Sequence, residues 1–439
     1  MHPPCRPRNR IPIGVAVLGA LWTIIPPALA GEPPAVVRRT AASGVRVAVL
    51  PKPESPLVAI ELRVRAGSIE GPAGAAHALE HLVFKGTTGR VPGEIDALME
   101  RLGGEIEART YRDATRFSVV LPKAAWRDGL SLLSELVLRP VLRPEDWDAE
   151  KPIIDEERAW SAADVGLSTT QVLFETLYAD VPDIAASPVG DAKETGALDV
   201  AVLQGLHRGW YRGPRISVVL SGALEPEEAV SAAEAFFAGT KATEEHRPLA
   251  KRAPLARSTK PSGPIAPSAV LAVGWRVDGP DVDSGALAAI AAQWLADEQA
   301  GPFSELLAGD SAPAAAVAVE RLPQRDSTLV VARFIARPGR ESVLAERLEN
   351  VLGTAFANIG DAALAGARHA AAARWDGDAA AVVAGGRLIG LYEGLDRPGD
   401  ERLVRLAIDK ATDDTVRKFL ARLGSDIPKA VVSARAGKP

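Results

Sequence analysis

An α+β fold of two similar domains, each a mainly antiparallel β-sheet with packed helices, is what three observations predict. Strand-like and helix-like stretches alternate through the first half of the chain. A stretch rich in Pro, Lys, Arg and Ser with no sustained periodicity, Lys241 to Ser268, then interrupts them. Beyond it, the order strand, turn, helix of residues 57–84 recurs at 269–299, as expected of a duplicated unit. With 439 residues, two or more domains are expected on length alone. The division that follows is a leader at 1–30, a first domain at 31–245, a linker at 246–268 and a second domain at 269–439.

The leader has the three parts of a cleavable secretory signal: Arg6, Arg8 and Arg10, an apolar run from Ile11 to Ile25, and Ala28-Leu29-Ala30 as a small-x-small cleavage site. Pro26 and Pro27 break the run before it reaches a comfortable bilayer span. No later stretch is apolar enough to cross a membrane, so a chain cut after Ala30 is expected to be periplasmic or secreted with no integral membrane segment. Val45 to Leu50 and Leu57 to Arg65 read as strands and are expected to form a hairpin, the second alternating Val58, Ile60, Leu62 and Val64 with polar residues. A turn at 67–72 leads into a helix ending near Gly86. A second helix runs from about Gly93 to Leu102, stopped by Gly103-Gly104, and Glu105 to Leu121 returns as strand. Helices at 124–138, 145–163, 167–179 and 200–211 and a strand at 216–222 complete the first domain. In the second, 269–277 reads as strand and 285–299 as helix.

Composition narrows the function classes. The chain is 47% hydrophobic and 24% charged with a formal net charge of -5, which describes a globular protein with ample core. Charges of both signs are interspersed and there is no basic footprint, so nucleic acid is not an expected partner. Cys5 is the single cysteine and precedes the apolar run. A processed chain would have no thiol, which suits an oxidising compartment and excludes cysteine ligands and nucleophiles.

The chemistry is concentrated at His77-Ala78-Leu79-Glu80-His81. On a helix, His77 and His81 lie one turn apart on the same face and Glu80 sits beside them. Two imidazoles can hold zinc while the carboxylate serves as base, the division of labour of His-x-x-Glu-His sites. Catalytic zinc usually takes a third protein ligand, and the acidic helix Glu150-Lys-Pro-Ile-Ile-Asp-Glu156-Glu157 is the strongest source. Glu150 and Glu157 share a face two turns apart, and spacing alone leaves Glu156 open as well.

These residues extend into a longer likeness. Gly67-Ser68-Ile69-Glu70, then Gly74 through the motif to Leu82-Val83-Phe84-Lys85-Gly86-Thr87, resembles the core signature of the pitrilysin-type (M16) zinc peptidases, including their processing-peptidase-like branch. Leu102-Gly103-Gly104 followed by Glu107-Ala108-Arg109-Thr110 is similar to that family's Gly-Gly-x-x-Asn-Ala-x-Thr strand. Leu206 to Tyr211 and Val218 to Gly222 resemble the segment closing its first domain. The fold implied is the type shared by LuxS and the processing peptidases. In the family the third ligand is a glutamate some seventy-odd residues after the second histidine, with another glutamate seven positions upstream. The resemblance therefore implies Glu157 as zinc ligand and Glu150 as the residue orienting a ligand histidine. It also implies one Zn2+ per chain, Glu80 as general base and then general acid, and peptide substrates added as a strand along 105–121, with Glu107 and Ala108 in the substrate-binding edge.

Two departures bear on substrate handling. Glu107 stands where the family usually shows Asn, which either favours basic substrates or is a solvated edge charge. In the second domain the family's Arg and Tyr, seven residues apart, are missing from Ser304 to Ala318. Arg321 and Tyr392 lie outside that position and are assigned ordinary surface roles. The expected protein is thus a zinc endopeptidase acting on peptides or unfolded segments, as the catalytic subunit of a dimer whose second M16-like subunit supplies the Arg/Tyr pair. A non-catalytic structural or assembly subunit is the alternative. Aligning Gly67 with Gly279 puts Ala289, Ala292 and Gln293 in the places of His77, Glu80 and His81, so the second domain is expected to be metal-free. His207, His246 and His369 are assigned no chemistry, and Trp160 is expected to pack beneath the ligand helix.

Overall fold

The computed structural model describes residues 35–240, 268–357 and 359–433. The expected signal and most of the expected linker, His246 included, lie outside the described residues. In chain order the first half contains β1 (Val37–Thr40), β2 (Arg46–Pro51), β3 (Leu57–Val64), α1 (Ala75–Val83), α2 (Glu94–Leu102), β4 (Glu105–Thr110), β5 (Thr115–Pro122), α3 (Trp126–Leu138), α4 (Pro144–Ala163), α5 (Val165–Leu177), the short α6 (Pro182–Ala185) and α7 (Ala192–Gly196), α8 (Val200–Trp210), β6 (Ile216–Gly222) and α9 (Pro226–Phe236). The second half contains β7 (Val270–Asp278), α10 (Val282–Ala296), α11 (Ser304–Leu307), β8 (Ala314–Pro323), β9 (Ser327–Ala336), α12 (Glu341–Thr354), α13 (Asp361–Ala380), α14 (Val382–Gly394), α15 (Asp400–Lys410), α16 (Asp413–Ser425) and β10 (Lys429–Ser433).

The first sheet has the order β1-β2-β6-β3-β5-β4 and the second β10-β7-β9-β8. Matching β6, β3, β5 and β4 to β10, β7, β9 and β8 superimposes the two orders, as a duplicated α+β fold requires. Two expectations are corrected. β2 and β3 do not form a hairpin, because β6 lies between them, parallel to β2 and antiparallel to β3. All seven residues of β6 are buried, and a strand buried on both faces belongs inside a sheet rather than at its rim. The expected strand from 105 to 121 is a hairpin whose turn leaves Tyr111 to Ala114 between β4 and β5.

Each sheet buries one face against helices of its own half. In the first, Ile60 and Leu62 of β3 and Phe117 and Val119 of β5 join Leu79 and Leu82 of α1 in one core. The opposite faces are covered by exchange. Leu173, Phe174 and Leu177 of α5 pack on Ala272, Leu329 and Ala430 of the second sheet, while Ile389 of α14 packs on Ala48, Leu50 and Val219 of the first. The two halves therefore share buried surface, worth about 1.5–3 kcal/mol for each large side chain removed from water. Among the described residues no helix is long and apolar enough to cross a membrane.

Candidate metal centre

Local sequence sets the position of α1. Gly74 precedes it with φ +78°, and a Cβ there would come within 2.8 Å of the Val189 carbonyl oxygen and 2.5 Å of the Thr195 side chain, so the close approach and the left-handed backbone both call for glycine. Ala75, Ala76, Ala78, Leu79, Leu82 and Val83 are buried. That apolar stripe rolls the remaining face, with His77, Glu80 and His81, away from the sheet core and toward α4 and β4. α4 starts with Pro144 and carries Pro152 inside, a residue with no backbone N–H for the preceding turn. Trp147, Glu150 and Ile154 are its buried residues, which leaves Glu157 on the face that meets α1.

The geometry brings His77, His81 and Glu157 together: one ligand atom from each lies within 4.8 Å of the others. Nε2 of His77 is 3.5 Å and Nε2 of His81 3.3 Å from the same oxygen of Glu157. The rings are edge to face, with centroids 4.6 Å apart. Glu156 is exposed and is absent from the cluster, so of the two carboxylates that spacing left open Glu157 is the one facing the histidines. Glu150 accepts a hydrogen bond from Nδ1 of His81 at 2.9 Å and pairs with Lys85 at 2.5 Å. This arrangement fixes the tautomer that leaves Nε2 of His81 with its lone pair toward the cluster. Glu80 stands beside the three, accepting a 2.6 Å hydrogen bond from the Thr110 hydroxyl at the end of β4.

Electrostatics divide these groups. Burial pushes the Glu80 carboxyl above its ordinary range, against the hydrogen bond from Thr110. Burial resists charge on His81, but hydrogen bonds to Glu150 and Glu157 outweigh it and push its pKa up to about 9, so a metal taken by Nε2 would displace the proton there. Burial and the neighbouring charge of His81 push His77 down to about 4. Glu150 is kept below its usual range because His81 and Lys85 outweigh its desolvation.

Two nitrogens and one carboxylate, with an outer carboxylate on one imidazole, form the donor set of a three-ligand zinc site. The residues fit the metal. Nδ1 of His77 is buried with no hydrogen-bond partner, so no acceptor fixes that side of its ring as Glu150 does for His81, and the Glu157 side chain is 39% exposed, which leaves the cluster open on one side.

The profile described as Insulinase (Peptidase family M16) matches residues 46–185, and that described as Peptidase M16 inactive domain matches 197–370. The chain belongs to peptidase family M16. Among M16 relatives, coenzyme PQQ synthesis protein F of Pseudomonas protegens is 34% identical over 201 residues, 44% of this chain and 24% of that protein. The chain spans only about a quarter of that relative's length. A protease from Helicobacter pylori shares the fold with a TM-score of 0.76 at 18% identity, covering 91% of this chain and 99% of that one. The periplasmic protease PqqL from Escherichia coli matches with a TM-score of 0.69 at 18% identity, covering 91% of this chain but 47% of PqqL.

The remaining sequence expectations fall as follows. Glu107 and Ala108 lie on β4, which among the described residues pairs only with β5 and is a sheet edge. The Glu107 carboxylate is held by Arg116 at 2.6 Å and Arg387 at 3.1 Å. Arg321 and Tyr392 are not open surface residues: Tyr392 is buried and Arg321 half-buried, with the Arg321 guanidinium over the Trp375 ring. Trp160 does not pack beneath the acidic helix but lies within it, on the outer side of α4 at 61% exposure, because the buried face of α4 is the one carrying Trp147, Glu150 and Ile154. His207 is held structurally, its Nε2 2.8 Å from the Val137 carbonyl oxygen. Sequence reading missed Thr110 as a partner of Glu80. Only the pairing that places the end of β4 beside α1 could have pointed to it.

Proposed function

We propose that this chain is a secreted or periplasmic zinc metalloendopeptidase that hydrolyses peptides or unfolded segments, with His77, His81 and Glu157 as ligands and Glu80 as catalytic base. The observation that carries this reading is the convergence of those three ligands beside Glu80, at the end of an open sheet edge. When bound, zinc polarises the scissile carbonyl and lowers the pKa of a coordinated water toward ~7.

The chain's own residues supply the rest. Glu150 keeps the Nδ1 proton on His81 and so presents Nε2 as a ligand. The Thr110 hydroxyl occupies Oε2 of Glu80 and leaves the other oxygen to take a proton from the attacking water. The raised pKa of Glu80 suits a group that must then return that proton to the leaving amine. Edge strand β4, with Glu107 and Ala108, offers unpaired backbone groups to an extended peptide. Glu80→Gln should keep stoichiometric zinc while cleavage of a quenched peptide falls by about a thousandfold; substantial turnover by that variant would remove Glu80 from the mechanism.

The length of PqqL, about twice the stretch matched here, supports a second M16-like subunit that completes the substrate site. α11 and the first half of β8, residues 304–318, supply neither the Arg nor the Tyr that the family resemblance places there. Full peptidase activity from a monomer of this chain would overturn the need for a partner. The same missing pair favours a second reading, a non-catalytic assembly subunit retaining the fold. Metal analysis with chelator-sensitive cleavage separates the two, since the assembly reading requires no turnover.

A further inference from the structure

The edge strand β4 has two unlike faces. Ile106 and Ala108 pack against the first core and Thr110 reaches Glu80, so this side is shared with the metal centre. Strand alternation turns Glu105, Glu107 and Arg109 to the opposite side. There they meet Arg116 from β5, Glu61 and Arg63 from β3, and Arg387 from α14. Glu107 lies 2.6 Å from Arg116 and 3.1 Å from Arg387. Glu61 lies 3.6 Å from Arg387, 3.8 Å from Arg63 and 3.9 Å from Arg116. Arg63 and Arg109 both stack on Tyr111, at 5.4 and 5.3 Å. Four guanidiniums thus surround two carboxylates, with Glu105 a third farther along the strand. Arg63 and Arg116 are buried, each with an Nε–H that has no hydrogen-bond partner. Among the described residues Arg109 forms no ion pair, and Arg387 is 44% exposed. Glu107, the charge that suggested basic substrates, is already neutralised.

We propose that this arginine ledge selects acidic side chains in the peptide, at the positions alternating with those that face the metal centre. The inference rests on the peptidase reading above and deepens it. A peptide added as a strand to β4 must alternate its side chains between the two faces whichever way it runs. Residues on one face lie toward His77 and His81. Their immediate neighbours lie toward Arg109, Arg116 and Arg387, where an added carboxylate meets excess positive charge. Each such contact at a partly exposed surface is worth a few-fold, so two together amount to about a tenfold preference.

The test uses the zinc-loaded chain and quenched peptides that carry Glu, Ala or Lys at one position at a time. Cleavage should favour Glu over Lys about tenfold at one or more alternating positions. Arg109→Glu and, separately, Arg387→Gln should each shrink that ratio several-fold, and Glu105→Gln should enlarge it. Binding gives a second readout: with Glu80→Gln protein, fluorescence anisotropy of labelled acidic, neutral and basic decapeptides should show the same order. The differences should narrow as salt rises from about 0.05 to 0.5 M. Cleavage with a basic preference, with no charge preference, or with a ratio untouched in both arginine variants overturns the ledge and leaves the peptidase reading intact. Neither cleavage nor peptide binding by the zinc-loaded chain overturns the peptidase reading itself.

Discussion

Helices α1 and α10 occupy corresponding places in the two halves, yet one carries residues that could hold a metal and the other is core. α1 turns its small and branched residues to the sheet and keeps His77, Glu80 and His81 on a face met by α4 and the end of β4. α10 is apolar all round: Ala286, Ala288, Ala289, Ile290, Ala291, Ala292, Trp294 and Leu295 are buried, and they share a core with Leu364 and Ala367 of α13 and Val404 and Ile408 of α15. With Gly67 aligned to Gly279, Ala289 and Ala292 take the places of His77 and Glu80. The difference teaches that polar chemistry goes with a face left partly open: α10 buries Ala289 and Ala292 in its core, whereas His77, Glu80 and His81 of α1 keep partial exposure.

Several measurements would break or sharpen this contrast. The largest effect is expected at the ligands: His77→Ala should abolish stoichiometric zinc by metal analysis, whereas Gln293→Ala should leave metal content unchanged. Next comes Glu150→Ala, which should weaken zinc affinity by about 10–100-fold in a competition titration, because His81 loses the acceptor for its Nδ1 proton. Ala289→Leu should lower stability by about 1–3 kcal/mol in urea denaturation, since Ala289 is 3% exposed in a packed core. A mild effect would mean that α10 has slack to accept larger side chains.

The smallest effect is a pH slope. In the turn before α1, Glu70 accepts a hydrogen bond from the Gly67 amide at 2.8 Å, and burial raises its pKa from 4.5 to about 7 although Arg325 opposes the shift. A carboxyl that binds its proton more tightly when folded favours the folded state at low pH. That contribution is complete below 4.5 and is lost as pH rises to about 7. Stability should therefore decline across this window, and Glu70→Gln should flatten the decline in urea titrations at pH 5 and pH 8. An unchanged slope would assign it to other groups.

Much of the site was legible because its spacing is a property of one helix. His77, Glu80 and His81 need nothing beyond the helical repeat to share a face, and Glu150 and Glu157 needed only the same repeat plus the family likeness. The choice between Glu156 and Glu157 was not legible from spacing, since adjacent residues on a helix differ by only 100°. The side of α4 that meets α1 depends on which residues the neighbouring core buries. The fold class was legible from strand and helix alternation and from the recurrence at 269–299. Strand order was not, because β6 enters between β2 and β3 from over 150 positions downstream of β3, and local pattern carries no information about partners so distant.

The sequence by itself determined the chemistry available to this M16 chain: two imidazoles and a carboxylate on α1, an acidic helix to meet them, and a second half with alanines in their place. Only the tertiary structure decided what those groups face. It set Glu157 rather than Glu156 against the histidines, gave Glu80 its hydrogen bond from Thr110, and drew Arg387 from the far half to neutralise Glu107. The physical reason is that covalent spacing dictates periodic faces within an element. Desolvation, hydrogen bonding and charge pairing depend on which face another element covers.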